Sequence, residues 1–360
     1  IQVSLPEAEI TPGVTELDDG SAIIGEMQQE IQATMPVSFD ANLAELIEDG
    51  DLGVISNDLV GAINDDISSR RDWEEQYKGG LELLGMNYED RAEPFEGASG
   101  VVHPLLAESV TQFQAQAYRE MLPASGPVRT HIVGSENPEL LAQAERVKNY
   151  MNYQITYEME EYDPELDQML FYLPIVGSSF KKVYFDPSMQ RAVSKFVHAE
   201  DLIVPYNATD LRTSSRITHV VRMGKNEVRK LQLQGFYRDI DLPSSDSGGT
   251  NYDEVKETIE DIQGVGKSTS DNEEITLYEI HTDLDLVGFE DVGQDGEPTG
   301  LKMPYVVTIV EKSGEILSIK RNFNEGDPFR RKIPYFVHYK FLPGLGFYGF
   351  GLTHMIGGLS

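Results

Sequence analysis

The stretch PYVVTIVEKSGEILSIKR, residues 304–321, contains the plainest structural signal in the chain. Two apolar runs rich in Val and Ile, which favour extended backbone, flank the polar residues 312–314. A Ser-Gly pair between two such runs is typical of a tight turn, so the stretch predicts a β-hairpin. Similar patterns at 274–289 and 333–341 predict neighbouring strands, which makes 274–345 a β region.

A second β region is predicted upstream, over 175–237. FKKVYFDPSMQRAVSKFV (180–197) alternates apolar and polar residues around an Asp186-Pro187 turn, and LIVPY and ITHVVRM follow as further strands. KNEVRKLQLQ then predicts a short helix. Residues 238–273 are rich in Ser, Gly, Asp and Glu, which predicts a polar surface insertion between the two β regions.

The chain before these strands, 57–174, has the apolar spacing of amphipathic helices. Caps and prolines set the predicted boundaries. Four helices are predicted: from Asn57 or Asp58 to the break at Gly79-Gly80, from His103 to Pro123, from the cap Asn137 with Pro138, and from Asp163-Pro164 to Pro174. The predicted fold class is α+β, with a helical first half followed by mixed β segments that form a small barrel or sandwich.

The 360 residues carry 61 acidic and 29 basic side chains, a net charge of −32. Residues 1–69 contain fifteen Asp and Glu and no Lys or Arg. Residues 1–56 have too few apolar side chains for a core, so an extended acidic arm is predicted there, with a neighbouring copy as its support. The acidic balance argues against avid sequence-independent binding of DNA, which requires clustered cations.

Cysteine is absent, which excludes disulfides, thiolate nucleophiles and Cys-ligated zinc. No apolar run approaches the 18 or so residues of a membrane span, so no membrane partner is predicted. The residues HMIGGLS lead into something further, so 346–360 are predicted to begin another region of a longer polypeptide.

Two motifs that suggest chemistry fail on closer inspection. In DIQGVGKST (261–269), Asp261 stands where a phosphate-binding loop with Lys267 needs its first glycine. His281, Asp283 and Asp285 share one face of a predicted strand, and a solvated face is favoured over a metal site there. The remaining histidines have no metal-ligand spacing. We therefore predict no catalytic, cofactor-binding or metal-binding residues, and a protein that is not an enzyme.

Basic clusters at 181–182, 229–230 and 330–332 lie among acidic residues, which favours solvated faces or ion pairs between subunits. In GLGFYGFG (344–351) the glycines indicate a backbone that turns tightly or approaches a neighbour closely. Eight residues are candidates for a subunit interface or for proximity to DNA: Lys181, Lys182, Arg330, Arg331, Lys332, Phe347, Tyr348 and Phe350.

Long segments in order along 70–360 resemble the portal proteins of tailed bacteriophages, of the long-chain type. The resemblance is carried by RRDWEEQYKGGLELLG, AEPFEGASGVVHPLLAESVTQFQAQAYREMLPASGPV, VGSSFKKVYFDP, AEDLIVPYNATDL, RNFNEGD and YFVHYKFLPGLGFYGFGLTHMIGGLS. Several of these segments are ten or more residues long, which makes them more specific than any short motif above. Residues 1–56 do not take part in the resemblance.

The resemblance implies the outer wing of a ring-shaped virion protein, with about twelve identical subunits around a channel. Such a ring sits at one capsid vertex, and genomic DNA is packaged and ejected through it without sequence specificity. Its implied partners are other copies of the chain, the large subunit of the packaging terminase, the major capsid protein and a tail adaptor. The alternatives are another tail adaptor or baseplate component and, least favoured, an NTPase that uses Lys267.

Overall fold

The computed structural model describes residues 13–16, 22–25, 37–81, 104–135, 137–187, 189–242, 274–293 and 297–356. The chain divides into two units, Ile1–Ala41 and Asn42–Ser360. In the first unit, β1 (Gly13–Glu16) pairs with β2 (Ala22–Gly25) in antiparallel orientation. The second unit holds every helix and the two larger sheets among the described residues. The predicted acidic arm therefore extends too far, because residues 42–56 belong to the larger unit.

Residues 42–48 belong to the core of the second unit because their few apolar side chains fit against a sheet. Leu43 and Ala44 are fully buried. The Asn42 side chain donates to the Leu317 carbonyl at 3.0 Å and accepts from the Ile319 amide at 3.0 Å. These contacts join residues almost 280 positions apart, so they cannot be seen in the local composition. For that reason the sequence suggested an arm here.

Helix α1 (Asp49–Ser69) begins eight residues before the predicted start, and its acidic first turn suits the helix dipole. It ends at Arg70, where a second helix, α2 (Arg71–Leu81), begins. Arg70, the first basic residue of the chain, is completely buried. Its guanidinium donates to the carbonyls of residues 199, 200 and 202 and to the Tyr348 hydroxyl, and it pairs with Glu74. This set of contacts, rather than Gly79-Gly80, fixes where the first helix breaks.

Other predicted helices are present close to their expected positions. The Asn137 side chain caps its helix by accepting from the Leu140 amide at 2.7 Å. Pro174 does not end its helix, because a proline in the last turn removes only one backbone hydrogen bond. The helix continues to Val176, and Gly177, whose backbone is in the left-handed region, caps it. The bounds are α3 (Leu105–Met121), α4 (Pro138–Tyr153), α5 (Tyr162–Val176), α6 (Lys225–Leu233) and α7 (Leu352–Ile356).

Two antiparallel sheets follow the helices, which confirms the α+β class. The first has the order β10-β3-β4 and the second the order β5-β6-β7-β8-β9; neither closes into a barrel within the described residues. The predicted hairpin at 304–321 is confirmed as β8 and β9. The bounds are β3 (Ser178–Asp186), β4 (Arg191–Val197), β5 (Leu202–Ile203), β6 (Arg216–Gly224), β7 (Glu274–Leu284), β8 (Met303–Val310), β9 (Ile316–Arg321) and β10 (Phe336–Lys340).

The five-stranded sheet is covered on both faces. On one face, Arg216 of β6 binds Asp66 of α1, with the guanidinium 2.6 Å from the carboxylate. The next residue, Ile217, points to the opposite face because side chains alternate along a strand. There Ile217 belongs to a cluster with Phe180 of β3 and Phe336 of β10. Helix α1 therefore lies on one face, and the three-stranded sheet packs on part of the other.

The glycine-rich segment 344–351 is packed as the sequence predicted. A Cβ atom on Gly349 would lie 2.5 Å from the Gly177 carbonyl oxygen, and one on Gly351 would collide with the Ile175 carbonyl. Leu342 and Phe350 exchange backbone hydrogen bonds of 3.2 and 3.0 Å across this segment. Only glycine allows the segment to lie directly on the end of α5.

Of the polar insertion predicted at 238–273, residues 243–273 lie outside the described residues, and so does Lys267. Two apolar positions of the part that is described are partly buried. Ile240 and Leu242 pack against a cluster formed by α6 and the end of the five-stranded sheet. The packing of Ile240 and Leu242 therefore contradicts the prediction of a surface insertion for the start of 238–273.

Candidate functional site: a cationic cleft and an apolar helix face

A cleft of about 1040 Å³ opens beside strand β10, which is an edge strand of its sheet. Two connecting segments form its walls: 204–215 before β6, and 322–335 before β10. Ile217 and His281, which are paired across β6 and β7, contribute the part nearest the five-stranded sheet. Since loops carried by a rigid scaffold commonly form binding sites, this position is a candidate functional site.

The cleft is lined by more cations than anions, in a chain with twice as many acidic as basic residues. Its basic residues are Arg212, Arg331, Lys332 and Lys340, and its single carboxylate is Asp210. Arg331 is 78% exposed and pairs with Asp327 at 3.0 Å. A pair this exposed is weak, so Arg331 remains available to an incoming anion.

The acidic side chains around the cleft hold its walls. Asp210 accepts hydrogen bonds from the backbone amides of Thr213 and Arg212, which lower the pKa of that carboxyl. Asp327 in the same way accepts from the amides of Phe329 and Arg331. These carboxylates order the loops and present the neighbouring arginines at the surface.

Lys332 lies deeper in the cleft and is half-buried. Its ammonium donates to the Ser214 carbonyl at 3.4 Å, which ties one wall of the cleft to the other. Burial lowers the pKa of Lys332, and the nearby Asp283 carboxylate opposes that shift.

Aromatic and histidine rings line the rest of the cleft. His338 is stacked between Phe180 and Phe347, with ring centroids 4.4 and 4.7 Å away, and shares a 3.1 Å hydrogen bond with Ser178. Burial, together with Lys340, lowers the pKa of His338 to about 3. This histidine is neutral at pH 7, so the positive charge of the cleft comes from its arginines and lysines.

Lys182, Glu279 and His281 form a charged network behind the cleft. The Lys182 ammonium donates to both Glu279 carboxylate oxygens at 2.7 Å, and a 2.8 Å hydrogen bond joins Glu279 Oε1 and His281 Nε2. Burial alone would raise the pKa of Glu279, but Lys182 and the His281 hydrogen bond hold that pKa well below its usual value. His281 is buried rather than solvent-facing, so the predicted solvated strand face is wrong at this position. The smaller sheet packs over the His281 side chain and covers it from solvent.

The structure separates the eight candidate residues. Arg331 and Lys332 line the cleft, whereas Arg330 turns away and binds Asp291. Lys181 is buried beneath the Tyr162 ring, with its ammonium 3.9 Å from the ring centroid.

The three aromatic candidates lie in or beside the core. Phe347 and Tyr348 are buried, and Phe350 is half-buried against His354. Lys181, Phe347 and Tyr348 are therefore unavailable to another subunit or to DNA, because they fill the interior of this chain.

Arg212 and Lys340 were missed from the sequence. Each stands alone among polar or apolar neighbours, so neither forms a basic cluster. Arg212 and Lys340 are more than 120 positions apart, and only the tertiary fold brings them to the same cleft. A weak signal existed in Asp210, since an Asp side chain often accepts from the backbone amide two residues on, which is typical of a turn.

Helix α4 carries an apolar face that no described part of the chain covers. Leu140, Val147 and Met151 are 39%, 44% and 42% exposed, and Tyr150 is 58% exposed. Leu140, Val147 and Met151 recur at helical spacing, as expected for an amphipathic helix, but the helix has no buried residue. Contiguous exposed apolar surface of this kind marks interaction sites.

Among the described residues, no three His, Asp or Glu side chains lie together in a group that could hold a metal ion. None of the described helices combines the length and apolar character needed to cross a membrane. No protein-family model matches the chain, and no curated protein is significantly similar to it in sequence.

Proposed function

We propose that this chain is a non-enzymatic structural subunit of a ring, the portal or head-to-tail connector of a tailed bacteriophage. The class is suggested by the ordered sequence segments between 70 and 360. In this proposal the ring lies at one vertex of the virion capsid, and genomic DNA passes through its channel during packaging and ejection. The α+β unit described above would be the outer wing.

The structural observation that carries the proposal is the uncovered apolar face of α4. A subunit that closes a ring buries different patches of itself against its two neighbours. Leu140, Val147, Tyr150 and Met151 provide one patch of the chemistry that such an interface buries.

The charge of the chain is compatible with a DNA conduit. A wall that neutralised several phosphates would hold DNA tightly, whereas the net charge of −32 disfavours lasting contact. The large subunit of the packaging terminase, the major capsid protein and a tail adaptor are further partners in this proposal.

Mass photometry and negative-stain electron microscopy of the purified protein test the proposal. We expect closed rings of about twelve subunits. Closed rings of about six would favour a different tail adaptor or baseplate component, and a monomer under every assembly condition would overturn the proposal. Val147→Glu with Met151→Glu is expected to prevent ring closure. Leu233→Glu is a control for a carboxylate added at an exposed apolar position on a different helix.

The NTPase alternative has its own test, although Lys267 lies outside the described residues. Calorimetric titration of the intact protein with ATP should show no binding. ATP binding that is lost in Lys267→Ala would contradict a purely structural role.

A further inference from the structure

The outward side of helices α1 and α2 carries a row of carboxylates that we call the acidic ridge. Asp51, Asp58 and Asp65 are spaced by seven residues, or about two helical turns, so they share one side of α1 over about 21 Å. Asp72 and Glu75 are further carboxylates on α2. All five side chains are exposed.

The acidic ridge has little compensating charge. Between residues 45 and 75 the chain contains two basic residues, Arg70 and Arg71. Arg70 is buried and occupied by backbone carbonyls and Glu74, so Arg71 is the exposed cation of this range. From other parts of the chain, Arg238 pairs with Asp49 and Arg216 with Asp66, and neither of these carboxylates belongs to the ridge.

The acidic ridge and the cationic cleft lie on opposite faces of the five-stranded sheet. Arg216 points towards α1 and binds Asp66, and the ridge runs along the same helix about 100° around its axis from Asp66. The adjacent Ile217 points the other way and lines the cleft, as does its cross-strand neighbour His281. Two complementary patches on opposite sides of one subunit are what a head-to-tail contact between identical copies requires.

We infer that the acidic ridge of one subunit docks against the cationic cleft of the next copy in the ring. This inference rests on the proposed function and specifies which two surfaces meet. Asp58 and Asp65 of one copy supply carboxylates to Arg212 and Arg331 of its neighbour. Because the pairing is between opposite charges, it fixes the order and direction of subunits in a chain whose copies otherwise repel each other.

Duplex DNA is the competing occupant of a cationic cleft, but the composition favours a second copy. Four cations around one cleft are fewer than the roughly 6–10 phosphate contacts made by a protein that holds DNA tightly. The ridge supplies carboxylates at a fixed helical spacing, and planar guanidinium groups bind carboxylates in a bidentate manner.

Charge-reversal variants of the full chain test the inference. The cleft variant is Arg212→Glu with Arg331→Glu, and the ridge variant is Asp58→Lys with Asp65→Lys. All four side chains are exposed, so the substitutions do not disturb the core. Arg229→Glu with Lys230→Glu on α6 is the control that changes the net charge by the same amount as the cleft variant, on exposed residues outside both surfaces.

The expected pattern in mass photometry is specific to a ridge-to-cleft contact. Each variant alone should need at least about tenfold more protein for half-assembly, because like charges then face each other. An equal mixture of the cleft and ridge variants should form rings again, since alternating copies restore opposite charges at every contact. The α6 control should assemble like the unmodified chain.

The possible failures are distinguishable. If the unmodified chain forms rings and the cleft variant forms them equally well, the inference is wrong and the proposed function stands. If the unmodified chain never forms rings, both fall. Fluorescence anisotropy with a labelled DNA duplex provides a second readout: loss of DNA binding in the cleft variant, with normal assembly, would assign the cleft to nucleic acid instead.

Discussion

Two adjacent lysines of β3 differ in their partners: Lys181 is buried and its ammonium bonds no carboxylate of the described residues, whereas Lys182 pairs with Glu279. This difference gives a pair of predictions. Lys181 is buried, and burial lowers the pKa of its ammonium to about 8 against the opposing effect of Glu165 and Glu161. Lys181→Met is therefore expected to raise the free energy of unfolding at pH 7 by on the order of 1 kcal/mol.

Lys182→Met is the matched substitution, and it should act in the other direction. It leaves the Glu279 carboxylate without its ammonium partner, which costs about 3 kcal/mol or more. Urea unfolding followed by the fluorescence of the single tryptophan, Trp73, measures both variants. Equal destabilisation by the two substitutions would contradict the environments described for the lysines.

The buried histidines predict how stability depends on pH. Burial lowers the pKa of His338 to about 3 and that of His219 to about 4, both from an ordinary value of 6.5. Below pH 6.5 the unfolded chain takes up protons that the folded chain does not, so the free energy of unfolding falls as the pH decreases towards those folded values. At pH 5 each histidine accounts for a loss of about 2 kcal/mol.

Replacing one histidine isolates its contribution. His338→Gln should reduce the loss of stability between pH 7 and pH 5 by about 2 kcal/mol, because an amide does not titrate there. An unchanged slope in His338→Gln would show that this ring is not held neutral by its surroundings.

At the scale of elements, Gly351 and Gly61 are expected to respond in opposite directions to substitution by alanine. Gly351→Ala should destabilise the chain by about 3 kcal/mol, because the new methyl group would collide with the Ile175 carbonyl, and backbone cannot move aside.

Gly61→Ala should stabilise α1 by about 1 kcal/mol, because no atom outside the adjoining helix backbone lies within 4 Å of the new methyl group and alanine favours helix. Thermal unfolding measures both, and a loss of stability in Gly61→Ala would contradict the described exposure.

Elements determined by local pattern could be predicted from the sequence. Helices α3 and α4 and the hairpin of β8 and β9 follow from apolar spacing, a cap and a turn, all of which lie within a few residues. The break at Arg70, the burial of His281 and the membership of residues 42–48 in the core depend on contacts far along the chain. Sequence periodicity does not register such contacts.

The same distinction holds for the candidate site. Basic clusters in the sequence indicated Arg331 and Lys332, which do line the cleft. They also indicated Lys181, which the structure places in the interior. Arg212 and Lys340 join the cleft only through tertiary packing. Aromatic residues between glycines indicated an interface, but Phe347 and Tyr348 fill the core because the glycines bring that segment against α5.

At the scale of the whole molecule, two electrostatic effects act on assembly in opposite directions. The net charge of −32 makes copies repel over distances of a Debye length, about 10 Å at 0.1 M salt. The acidic ridge and the cationic cleft attract only when they are close to contact. Added salt therefore screens the long-range repulsion before it weakens pairs that are partly shielded from solvent.

This competition predicts that ring assembly passes through a maximum as salt increases. From about 0.02 M to about 0.2 M NaCl, the yield of rings should rise because repulsion between acidic copies is screened. Towards about 1 M it should fall, because the ridge-to-cleft pairs are then screened as well. Mass photometry across this range measures the yield, and the α6 control, whose ridge and cleft are unchanged, should also pass through a maximum. A yield that continues to rise to 1 M would mean that apolar contacts such as the α4 face hold the ring without the charge pairs.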